Sequence, residues 1–88
     1  MSAAALTMAF NLRNVPPNVK LVMLVIANNT NDQDFSCYMP IDRLIKATGL
    51  TRKALVRCLR AAERMKLLIL DPSPGDGMVL GWLVGGRR

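Results

Sequence analysis

The stretch Lys46–Lys66, KATGLTRKALVRCLRAAERMK, decides how this chain folds. Gly49 follows an amphipathic segment and supplies the left-handed residue that ends a helix. Two positions on, Thr51 is an N-cap, whose hydroxyl accepts from an early amide of the next helix. Two short helices therefore meet at Gly49–Leu50–Thr51, with Leu50 turned back to the core. At about 100° per residue, Leu55, Leu59, Ala62 and Lys66 cluster on one side of the second helix, with Cys58 and Met65 beside them. That side is expected to be the core stripe. Arg52, Lys53, Val56, Arg57, Arg60 and Arg64 fall on the other side within an arc of roughly 140°, with Glu63 at its border.

The charge is concentrated on the same segment. Residues 40–66 hold eight basic groups against two acidic ones, so they carry the whole net charge of +6, while the residues before and after are each neutral. A surface of this kind favours polyanions: nucleic acid, an acidic membrane face or an acidic protein. The chain has no histidine, which removes the commonest general base and the commonest metal ligand. Cys37 and Cys58 have no metal-ligand spacing and are expected as buried free thiols in a reducing compartment. The longest apolar run, Val19 to Ala27, contains Lys20 and is far short of the roughly 20 apolar residues of a membrane span. The start lacks the basic region of a signal peptide. A soluble cytoplasmic protein with no membrane partner is the expectation.

Outward from the central stretch, Pro16 and Pro17 stop what precedes them and open a helix that runs through NVKLVMLVIA and ends in NNTNDQD. It is apolar nearly all round, as a central core helix is. Phe35–Met39 alternates enough to be a short strand. Pro40 opens the next helix, PIDRLIKAT, with Ile41, Leu44, Ile45 and Thr48 on one face and Asp42 favourably near its N-terminus. LLILD is a buried strand, DPSPGDG a turn, and MVLGWLV the returning strand of a hairpin. Tyr38 and Trp82 are expected to seal the edge of the core. At 88 residues the chain is one domain. Residues 1–15 are expected as an N-terminal arm, which could form a short strand or a helix turn, 40–66 as the paired helices, 67–84 as a hairpin and 85–88 as a flexible tail.

Two helices joined by Gly-Leu-Thr make a helix-turn-helix, whose second helix offers its N-terminal residues to a DNA major groove. With the hairpin after it, the order predicts an α+β, mainly α fold: a winged helix-turn-helix of three helices and a small antiparallel hairpin. KLVMLVIANNTND followed by CYMPIDRLIKATGLTRKALVRCLRAAERMKLLIL resembles the winged helix-turn-helix domains of phage and plasmid replication proteins and related small regulators. Leu44, Thr48, Gly49, Leu50, Thr51, Leu55 and Leu59 match that pattern, and the likeness spans roughly Ala9 to Leu70. It departs in three places. MKLLIL stands where LGLL is usual, Ala62 replaces a leucine, and the turn DPSPGDG is acidic where such wings often carry Arg or Lys.

The resemblance and the charge together imply double-stranded DNA as the partner. Arg52, Lys53 and Arg57 are expected to contact it, since arginine can pair with guanine O6/N7 and either residue neutralises phosphate. Val56 either meets a thymine methyl or is a chance surface valine. Thr51 caps the helix and can also touch phosphate. Arg43 and Lys46 are expected as backbone clamps, and Arg60 and Arg64 as phosphate contacts or solvated groups. No nucleophile, base and orienting group assemble, so no catalytic residue, cofactor or metal is expected. NDQD lacks the glycine and glutamate of a calcium loop. The leading reading is a small transcriptional regulator or repressor of phage or plasmid type. Alternatives are an accessory origin-binding protein and a module that binds an acidic or nucleic-acid-handling protein partner. One recognition helix reads only a few base pairs, so a homodimer is expected. Its interface would be the apolar arm or the outer face of MVLGWLV.

Overall fold

The computed structural model describes residues 2–75 and 77–84, so the expected tail at 85–88 lies outside the described residues. Seven elements follow in the order α1 (Ala3–Phe10), α2 (Pro17–Asn28), β1 (Ser36–Pro40), α3 (Ile41–Thr48), α4 (Arg52–Arg64), β2 (Leu68–Asp71) and β3 (Met78–Leu83). The fold is α+β: four helices and a three-stranded antiparallel sheet ordered β1–β3–β2, with α3 packed on β1 and α4 on β2.

The first departure is the number of helices: the N-terminal segment, left open between strand, helix turn and arm, is a fourth helix. Ser2 is buried and caps α1, its Oγ accepting from the Ala5 amide at 3.0 Å. Alanine has the highest intrinsic helix propensity. Ala5 and Ala9, one turn apart, are buried, and their small side chains let α1 lie close on α2. An eight-residue helix is marginal alone, so this one depends on α2 for its stability. The segment is therefore part of its own domain's core, not a free arm.

α2 is the central helix. It packs against α1, α3 and α4, burying Val19, Val22, Met23, Ile26 and Ala27. Pro17 occupies N1, where its missing N–H costs nothing. The polar string after α2 is a set of side-chain turns. Thr30 Oγ1 donates to the Ile26 carbonyl at 2.7 Å, Asn31 Oδ1 accepts from the Gln33 amide at 2.7 Å, and Asp34 Oδ1 accepts from the Ser36 amide at 3.0 Å.

β3 is the middle strand, with Ser36 opposite Trp82 and Tyr38 opposite Leu80 on one side, and Ile69 opposite Trp82 on the other. The two-residue period sends Cys37, Met39, Leu68, Val79 and Leu83 inward to the helices. Tyr38, Ile69, Leu80 and Trp82 share the outer face. Tyr38 is 63% exposed and so does not seal the core; Trp82 is half-buried. Burial in the apolar interior pushes the Cys37 thiol up to about 11, only partly offset by the nearby Arg43. The same cause raises Cys58. Both are free and buried.

The second departure is at the end of α4. The helix stops at Arg64, so Met65 and Lys66 do not extend the core stripe; both are exposed. Lys66 takes a left-handed conformation at φ 62°. Its amide donates to the Glu63 carbonyl at 3.0 Å, and the Leu67 amide reaches back to the Ala62 carbonyl at 2.9 Å. This is a Schellman closure with a lysine at the position that favours glycine. A left-handed L-residue costs roughly 1–2 kcal/mol. Lys66→Gly is therefore expected to stabilise the chain by about 1 kcal/mol, less the extra unfolded-state entropy of glycine. Urea unfolding of the variant and the parent chain measures the difference.

Candidate nucleic-acid interface

The site is built on the turn between α3 and α4. Gly49 sits at φ 76°, ψ 5°, and its amide donates to the Ile45 carbonyl at 2.9 Å, which ends α3. The Thr48 hydroxyl donates to the Leu44 carbonyl at 2.7 Å and accepts from the Leu50 amide at 3.3 Å. Leu50 packs half-buried against the core. Thr51 then caps α4, its Oγ1 accepting from the Ala54 amide at 3.1 Å. Every polar group of the turn named here is used, so the angle between the two helices is fixed locally.

Leu55, Cys58, Leu59 and Ala62 are the buried side of α4 and set its rotation. Leu55 is wholly buried, and burying a leucine fully is worth about 1.5–3 kcal/mol. With that stripe inward, Lys53, Arg57, Arg60 and Arg64 form a row on the opposite side, all exposed. These four basic side chains stand along one ridge.

Not all of the other residues expected to bind lie around this row. Arg52 is at the first position of α4, with Nη1 3.5 Å from Asp42 Oδ1. Both side chains are well exposed, so the pair adds under about 1 kcal/mol. It does draw the guanidinium towards α3 and partly neutralises it. Arg43 and Lys46 are exposed on α3, but Arg43 lines a separate open cleft with Phe10, Val25, Asn29 and Ala47, towards α1 and α2 and away from the ridge. Val56 is half-buried and packs against the core, leaning towards the β2–β3 hairpin instead of standing among the cations. That placement fits a packing role at least as well as contact with a base.

Between α4 and the hairpin is an open cleft of about 370 Å³, with Val56, Leu59 and Val79 in its lining and Arg60, Glu63 and Asp71 as its charged groups. Asp71 is held below the usual carboxylate range by the Ser73 amide and hydroxyl; its Oδ1 accepts from that amide at 2.9 Å. The hairpin turn is thus acidic on this side. Asp76, the other carboxylate of the turn, lies outside the described residues.

Asn18, at the start of α2, is a further residue of the site that sequence reasoning did not single out. It lines a cleft shared with Arg57, Arg60 and Arg64. Nothing in a linear reading places the start of α2 beside α4, because that contact is tertiary. Among the described residues there is no group of three acidic, histidine or cysteine side chains that could hold a metal ion. Nor, among them, is any helix long and apolar enough to cross a membrane. Compared with family models, curated proteins and solved structures, the chain matches none.

The cap is open to test. Thr51→Ala removes the hydroxyl that accepts from the Ala54 amide while leaving the ridge intact. A loss of about 0.5–2 kcal/mol is expected, read as a lower urea midpoint at unchanged slope.

Proposed function

We propose that this chain is a winged helix-turn-helix protein that binds double-stranded DNA with sequence preference, as a small transcriptional regulator. The observation that carries the reading is the row Lys53–Arg57–Arg60–Arg64, facing away from the core on the second of two helices joined by a tight turn. Such a helix enters a major groove with its first residues on base edges and its later ones near phosphate. Lys53 is the proposed base-edge reader, and Arg57, Arg60 and Arg64 the phosphate contacts. Lys46 and Arg52 are the proposed backbone contacts on the flank, and the exposed turn at Thr51 can offer the backbone an amide. The order of helices and strands and the β1–β3–β2 sheet support the winged-helix assignment.

Titration of a labelled duplex tests this reading. Lys53→Ala and Arg57→Ala are each expected to weaken binding, the former by roughly 1–3 kcal/mol where the contact is to a base. Four to six neutralised phosphates would give a slope of log K against log salt of about −4 to −5. Unchanged affinity in both variants, or a slope near zero, would remove α4 as the binding element.

Selective binding in a genome requires more than one recognition helix, so we place a second copy on the outer face of the sheet. Tyr38 and Ile69 are 63% and 55% exposed there, with the half-buried Leu80 and Trp82 between them. None of the three strands carries a basic residue, and their one carboxylate, Asp71, stands at the end of β2, so the middle of this face is uncharged. α1 packs on its own core through Ala5 and Ala9 but leaves Phe10 63% exposed, so the sheet face is the interface proposed first. Sedimentation equilibrium is expected to show a dimer at tens of micromolar that Ile69→Lys converts to monomer with its melting temperature kept. A wild-type monomer, free and on DNA, contradicts this interface.

A further inference from the structure

The two sides of the α4 ridge differ in charge. Towards the hairpin, the cleft sets Glu63 and Asp71 against Arg60, so carboxylates outnumber cations. Ser73 keeps Asp71 ionised well below neutral pH. Towards α2, a second open cleft of about 360 Å³ is lined by Pro16, Asn18, Val19, Arg57, Arg60 and Arg64. Among the described residues that line it are three arginines and no carboxylate. We infer that a phosphodiester backbone lies in this α2–α4 cleft, on Arg57, Arg60 and Arg64, and not against the hairpin. The inference rests on the DNA-binding reading above and assigns the path of one strand.

The spacing suits a backbone. Arg57 and Arg64 are seven residues apart on α4, about 10 Å along its axis. Phosphates of one strand succeed each other every 3.4 Å or so along a duplex axis, so a row laid along that axis spans about three such steps. Arginine forks hold phosphate oxygens in bidentate fashion. The opposite wall adds to the same field. α2 begins at the cleft, and Pro16 gives its first amides no side-chain cap. The positive end of the helix therefore faces the strand. A duplex on the ridge is drawn towards α2 and repelled by the hairpin, so the phosphate grip often expected of a wing falls to the start of α2.

Fluorescence anisotropy with a labelled mixed-sequence duplex tests the path, using the full chain and three single variants. Arg64→Ala removes a cation from the cleft. Asn18→Asp places a carboxylate there, in a helix first turn where it favours folding, so a melting temperature at or above the parent's confirms an intact chain. Asp71→Asn alters the other side. Arg64→Ala and Asn18→Asp are each expected to weaken binding roughly three- to tenfold, and Arg64→Ala to reduce the salt slope by about 0.9. Asp71→Asn is expected to stay within about twofold of the parent. Parental affinity in both cleft variants, with Lys53→Ala still impaired, overturns the path and leaves the DNA reading standing. A tenfold gain in Asp71→Asn puts the strand on the hairpin side and also overturns it. A parent chain that does not bind duplex at low salt removes the DNA reading, and the cleft with it.

Discussion

The turn at Gly49–Leu50–Thr51 is the constraint on which the rest of the molecule depends. Gly49 ends α3 in a left-handed conformation, the Thr48 hydroxyl bridges Leu44 to Leu50, and Thr51 starts α4 with its own side chain. These local bonds fix the direction in which α4 leaves. The buried stripe Leu55–Cys58–Leu59–Ala62 then fixes its rotation. Direction and rotation together determine where the arginines point. A change at either level turns the basic row without touching a basic residue, so the interface is a property of the turn and the core as much as of the cations.

Electrostatics explains why the row stays on the surface and why its two sides differ. Ionised guanidinium groups are costly to bury, so a helix with one apolar stripe presents its arginines opposite to it. What lies to either side is decided by tertiary packing. α2 brings a helix start and Asn18, while the hairpin brings Asp71 with its ionised state reinforced by Ser73. The outer sheet face stands apart from both. It is apolar, lacks basic residues, and is available to a different kind of partner.

Much of this architecture is legible in the sequence because particular residues have few conformational choices. Prolines at 16, 17 and 40 mark where α2 and α3 begin, and Gly49 and Thr51 mark the break between α3 and α4. The basic row follows from helical periodicity alone. α1 stays undecided in the sequence, between strand, helix turn and arm, because its buried positions are alanines, which leave no contrast between an apolar and a polar face; the cap at Ser2 is the local signal for it. Met65 and Lys66 are misplaced by continuing the helical wheel past the residue where the helix ends. The Schellman closure there uses a lysine, so no glycine announces it. The unequal sides of α4 are invisible in the sequence because Asn18 and Arg57 lie far apart along the chain and meet only in the folded structure.

The most direct test of the central claim is a residue-resolved one. Amide chemical shifts of the isotope-labelled chain, followed as a duplex is added, would map the contacted surface without altering any side chain. The account predicts the largest changes at Lys53, Arg57, Arg60 and Arg64, with Asn18 and Val19 moving alongside them. Changes confined to Tyr38, Ile69, Leu80 and Trp82, with the α4 amides still, would contradict it.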